Sequence, residues 1–198
     1  MTEPVLATPH TARVEPASPR LADDLVATFL SIRGETERRA APLSPEDQVI
    51  QSMPDASPAK WHRAHTTWFF EQFVLGPHLE GYRAFHPDYA FLFNSYYVSA
   101  GPRHARAARG LLTRPSAADV TAYRQHVDEA ITRLLTTAAP SLLARLGPLM
   151  EVGFNHEQQH QELMLTDILH AFAQNPVFPA YDAAWRPPAS SQRSGGYA

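Results

Sequence analysis

Apolar residues recur at helical spacing over four long stretches of the chain. In SPRLADDLVATFLSIRGETERRA (18–40), Leu21, Leu25, Phe29 and Ile32 share one face, the recurrence of a helix with a buried stripe. Ser18 is placed to cap this helix, Pro19 suits its first turn, and Asp23 and Asp24 lie near its positive end. A second helix is predicted from Ser57-Pro58 through KWHRAHTTWFFEQFVL to Leu75, with Gly76-Pro77 as the stop. Ser116 caps a third, AADVTAYRQHVDEAITRLLTTA, which reaches about residue 138. A fourth runs from Ser141 to about Asn175, with a break expected at Gly147-Pro148.

The segments between them lack this periodicity. Residues 42–58 are proline-punctuated and hold one short helical turn at most. Residues 76–115 are rich in Gly, Pro and aromatics. A connection this long inside a compact domain is usually functional or carries short helices. With no convincing period-2 alternation, the prediction is an all-α fold: a four-helix bundle with a long irregular connection between the second and third helices. Such bundles build metal and cofactor sites from side chains on facing helices. Residues 19–180 are assigned to the bundle and 1–18 to a disordered tail. Residues 181–198 are expected to be either a second disordered tail or the start of a further domain.

Composition narrows the functional classes. The 198 residues are 44% hydrophobic and 19% charged, ordinary for a globular domain, and the net charge of −3 offers no polybasic surface for nucleic acid. The N-terminal stretch has no apolar core of the signal-peptide type, and no run of about 18 apolar residues exists. A cytoplasmic protein without membrane or nucleic-acid partners is expected. Cysteine is absent, which excludes disulfides, thiolate metal sites and a cysteine nucleophile.

The candidate chemistry lies in histidines. NHEQQHQEL (155–163) contains His156-Glu157-Gln158-Gln159-His160, literally the HExxH of zinc proteases. On a helix the two imidazoles share one face, a turn apart. Val152, His156, His160, Leu163, Asp167 and Ala171 follow one helical stripe, so the histidines are expected to point into the bundle. On the second helix Trp61, His65, Trp68 and Gln72 share a face, so His65 is expected inward too. Three converging imidazoles would suit Fe(II), Zn(II) or another divalent ion. His62 is a rival third ligand or a helix-surface residue. His10, His78, His86, His104, His126 and His170 are expected at surface or loop positions, without a role.

The protease reading fails on spacing. No glutamate follows Glu162, and the extended pattern would need Gly and His where Leu163 and Thr166 stand. A di-iron carboxylate site would need a second Glu-x-x-His, and none exists.

Four blocks, SPAKWHRAHTTWFFEQFVL, YAFLFNSYY, GPRHARAARGLLTRPS and NHEQQHQELMLTDILHAF, together resemble the N-terminal DinB-like domain of the ergothioneine biosynthesis proteins EgtB. These are non-haem iron sulfoxide synthases, also called hercynine oxygenases. The resemblance spans about residues 20–180. It implies an Fe(II) site held by His65, His156 and His160, preferring His65 over His62. It further implies that Gln159 contacts the imidazole of hercynine and that Arg103 and Arg106 hold the carboxylates of the thiol substrate, gamma-glutamylcysteine or cysteine. The implied reaction joins that thiol to hercynine with O2. The resemblance also implies a second, C-terminal domain of the formylglycine-generating-enzyme type that carries a catalytic tyrosine. The present chain is expected to be a weak catalyst without such a domain, whether it is a fragment, a truncated reading frame or one half of a split enzyme completed by a C-terminal-half protein. Tyr96, Tyr97 and Tyr197 are not assigned the tyrosine's role. A selenium-handling relative, a stand-alone DinB-like divalent-metal thiol transferase and a non-catalytic partner-binding bundle remain alternatives.

Overall fold

The computed structural model describes residues 19–97, 101–184 and 186. The tail expected over 1–18, the Ser18 cap and most of the segment 181–198 lie outside these residues. Four long helices carry the fold: α1 (Pro19–Ala40), α2 (Ala59–Phe70), α3 (Ala117–Thr137) and α4 (Pro140–Gln174). No strand occurs among the described residues. The fold is the all-α bundle that the hydrophobic pattern predicts.

The amphipathic stripe of α1 packs as its spacing requires. Phe29 and Leu25 are buried, and Leu21 and Ile32 lean against the same core. Phe29 meets Phe70 of α2 edge-on at 5.0 Å. α3 starts where its cap chemistry dictates: the Ser116 hydroxyl accepts from the Asp119 N–H, and the Asp119 carboxylate accepts from the Ser116 N–H.

Two boundaries differ from the sequence expectation. Gly76-Pro77 does not stop α2; the chain widens into a π turn over Glu71–Leu75 and continues to His78. Glu71 anchors that turn. Its carboxylate accepts from the hydroxyls of Tyr82 and Tyr123, both at 2.6 Å, and from the N–H of Phe85 at 3.1 Å. α4 also runs unbroken through Pro148. Proline removes one ladder hydrogen bond, but Leu146 and Met150 on either side are fully buried, and that packing holds the helix together.

α2 is buried on every side. It packs against α3 and α4, and the long connection closes over its remaining face. That connection carries a helical turn (Tyr89–Leu92) and a 3-10 turn (Arg106–Leu111). The indole N–H groups of Trp61 and Trp68 donate to the carbonyls of Leu92 (3.2 Å) and Ala90 (3.1 Å). Lys60, the only lysine in the chain, is buried and donates to the carbonyls of Leu112 and Pro115. The irregular segment is thus fastened to the helix that lies beneath it.

Candidate metal centre

The centre is built on α2 and α4 where they run side by side. His65 projects from α2; His156 and His160 project from successive turns of α4. One ring nitrogen from each lies within 4.8 Å of the other two. The Nε2 atoms of His65 and His156 are 3.1 Å apart, and the His160 ring centre is 4.7 and 4.6 Å from those of His65 and His156. The trio opens into a cleft of about 600 Å³ shared with Trp61, Tyr96, Tyr97, Arg106 and Gln159, among others.

The approach of the two helices depends on a glycine. A Cβ on Gly153 would lie 2.5 Å from Phe70 Cε1 and 3.0 Å from Phe69 Cε1. With no side chain there, α4 seats against the aromatic wall of α2. His156, one turn on, then lies 5.0 Å from the Phe69 ring.

Each imidazole is held in a defined state. His65 Nδ1 lies 2.6 Å from the Phe93 carbonyl oxygen. A carbonyl only accepts, so the proton sits on Nδ1 and Nε2 keeps its lone pair toward the cleft. His65 is also sandwiched between Trp61 (4.6 Å, 14°) and Trp68 (5.5 Å, 17°). Burial, reinforced by His156, holds its pKa well below the usual imidazole range. Burial pushes His156 down to about 4. His160 is depressed by burial first and then by the facing His65 and His62. All three are therefore neutral at pH 7, the form in which imidazole binds a metal.

The donor set fits a divalent ion. Ligand nitrogens around an ion at about 2.0–2.1 Å sit roughly 3–3.5 Å apart, close to the spacing already present between His65 and His156. The Nδ1 of His156 is buried with no hydrogen-bond partner.

Glu157, the glutamate of the HExxH pattern, points away from this cleft. It is fully buried, and its carboxylate binds Arg33 (3.0 Å), Arg124 (3.0 Å) and the Thr36 hydroxyl (2.7 Å). Arg33 continues to Asp128 (2.7 Å) and to the Thr67 hydroxyl (2.9 Å). Despite the burial that opposes ionisation, the two guanidiniums hold Glu157 down to about 2. It braces the bundle and is no general base for the cleft.

The stripe expected on α4 needs correcting. Val152 and Leu163, read from the sequence as core positions, are 54% and 38% exposed. The histidines thus face a cleft mouth bordered by Leu163, and the buried face of α4 is the adjacent one through Met150, Phe154, Glu157, Gln161 and Met164. His62 also differs from the helix-surface expectation. It is buried, it lies outside the converging trio, and it contacts His160 and Asp167.

Among the other sequence-derived residues, Gln159 and Arg106 line the cleft. Arg106 donates to the Tyr96 hydroxyl (2.6 Å) and to the Asp55 carbonyl. Arg103 is exposed, sits over the Tyr96 ring and lines an adjoining hollow with Arg106 and Arg109. Arg109 was not singled out by the sequence. It is buried, stacks 3.3 Å from the centre of the Trp61 ring, and gives its terminal nitrogens to the hydroxyls of Ser57 (2.9 Å) and Ser95 (3.2 Å) rather than to a carboxylate. Burial, with Arg106 nearby, lowers its pKa to about 10, so it remains a cation. The only sequence signal for it was an arginine three residues beyond Arg106, itself three beyond Arg103.

A protein-family model described as the DinB superfamily matches residues 28–164. A search of curated proteins finds no match.

Proposed function

The chain belongs to the DinB superfamily, and on that premise we propose that it is the metal-binding domain of a non-haem Fe(II) sulfoxide synthase of the EgtB kind. His65, His156 and His160 would hold the ion. The observation that carries this reading is the set of three neutral imidazoles at the floor of an open cleft rimmed by arginines. When bound, the metal would supply open coordination positions for O2 and a thiol.

The remaining residues bind and orient. Gln159 offers an amide at the cleft edge for the imidazole of hercynine. Arg103 and Arg106 offer planar guanidiniums suited to the carboxylates of gamma-glutamylcysteine or cysteine, and buried Arg109 adds a fixed positive charge behind them. The overall conversion balances as thiol plus imidazole C2–H plus O2 giving the sulfoxide and water. One new C–S bond forms, one oxygen atom goes to sulfur, and the other leaves in water with the two displaced hydrogens. The tyrosine that this chemistry uses in the family is assigned to no residue of the sequence given, and a domain of the formylglycine-generating-enzyme type, supplied to the assay as a partner protein, is proposed to bring it.

The test is anaerobic Fe(II) titration, followed by hercynine, gamma-glutamylcysteine and O2 with products read by mass spectrometry. It is run with and without such a partner. Stoichiometric iron binding that is abolished in His160→Ala, with helicity retained, is the expected result. Iron binding equal to wild type in that variant would overturn the ligand assignment.

Three neutral histidines accept Zn(II) as readily, and a superfamily match accommodates a divalent-metal thiol transferase equally well. Thiol transfer without O2 consumption in the same assay would favour that second reading.

A further inference from the structure

His62 and Asp167 have no part in the reading above, yet they are joined to it through one side chain. Asp167 lies seven residues after His160, two turns along the same face of α4. Its Oδ2 accepts from the backbone N–H of Ser57 (2.8 Å), which fixes the carboxylate at the start of α2. The same oxygen lies 3.0 Å from His62 Nε2, and His62 Nδ1 lies 2.8 Å from His160 Nδ1.

The proton positions follow from what each atom can do. A carboxylate only accepts, so His62 carries its proton on Nε2. Its Nδ1 is then a lone pair, and the proton in the 2.8 Å contact belongs to His160 Nδ1. The remaining nitrogen of His160, Nε2, is left unprotonated. We propose that Asp167 and His62 form a positioning relay that locks His160 into the tautomer whose Nε2 is free to bind the metal. The relay rests on the metal-site reading. Both ring nitrogens of His62 are already engaged, so it acts through His160 rather than as a ligand. The Phe93 carbonyl does the same for His65, whereas His156 has no partner at Nδ1.

The test measures Zn(II) and Co(II) dissociation constants of the full chain by chelator competition, together with the Co(II) visible spectrum and the thermal midpoint. His62→Leu removes the acceptor and is expected to weaken binding 10–100-fold, the usual effect of losing a group that orients a metal-binding histidine. His62→Gln should restore most of the affinity, because its amide can accept from His160 and donate to Asp167, and its Co(II) spectrum should match wild type. Asp167→Ala, at the edge of the cleft, should weaken binding several-fold and serves if His62→Leu does not fold. Wild-type affinity in His62→Leu or in Asp167→Ala would overturn the relay. A His62→Gln variant as weak as His62→Leu, with an altered spectrum, would show that the imidazole is itself a ligand and overturn it too. A wild-type chain that binds neither ion would remove the metal site, and the relay with it.

Discussion

Glu157 and His156 are adjacent in sequence and opposite in task. His156 faces the cleft, while Glu157 faces inward to two guanidiniums. Removing one partner of a buried ion pair leaves the others uncompensated and typically costs about 3–5 kcal/mol. Glu157→Ala is therefore expected to lower the thermal midpoint by roughly 6–20 °C, while a folded fraction keeps its metal affinity. A protease-type role would predict the reverse pattern. The same residue sets a pH response. Its pKa is depressed in the fold to about 2 from an ordinary value of 4.5, so its contribution is complete above about pH 4.5 and is lost as pH falls toward 2. Denaturant unfolding from pH 6 to 2.5 should show that loss in wild type and a shallower one in Glu157→Gln. At this scale, with the family resemblance preferring His65 over His62, the spacing of the three histidines anticipated that they meet. It was not enough to separate a cleft-facing stripe from a core-facing one, because Val152 and Leu163 are apolar in either case. Nor could a carboxylate next to a metal-type histidine reveal that its partners, Arg33 and Arg124, come from 124 and 33 residues away.

Elements meet through α2 and α4, and Gly153 sets their separation. Alanine there gains helix propensity of about 1 kcal/mol but drives a methyl into Phe70 and Phe69, and overpacking of this kind costs about 1–3 kcal/mol. Gly153→Ala should lower the thermal midpoint by a few degrees. It should also weaken metal binding through the Phe69–His156 contact, measurable in one chelator titration. Most elements were legible from the sequence: the cap at Ser116, the stripe of α1 and the weak period of the connection. The continuity of α4 through Pro148 was not, because tertiary burial overrides a local breaker. The π turn at Glu71 was hidden for a similar reason, since its tyrosine partners reside on other segments.

Across the whole molecule, the ion pairs of Arg33, Arg124, Asp128 and Glu157, with the Thr67 hydroxyl, tie all four helices together. The candidate metal centre draws on only two of them. No helix among the described residues is long and apolar enough to cross a membrane. Binding an ion to the native state alone stabilises it by mass action, about 2.7 kcal/mol when the free ion is 100 times its dissociation constant. The thermal midpoint should then rise by roughly 5–10 °C, and a chelator should reverse the shift. A midpoint indifferent to Zn(II), Co(II) and Fe(II) would mean that the histidines do not form a site.

The hydrogen bond from His65 to the Phe93 carbonyl would make the long connection and any ion bound at the candidate site thermodynamic partners. An ion held by His65 Nε2 would withdraw electron density from the ring and strengthen Nδ1–H as a donor, and so would tighten the segment that carries Ser95, Tyr96 and Tyr97. Linkage is reciprocal: whatever small molecule grips that segment must raise metal affinity by the same factor by which the metal raises its own. The two halves of that cycle can be measured separately, and they must agree.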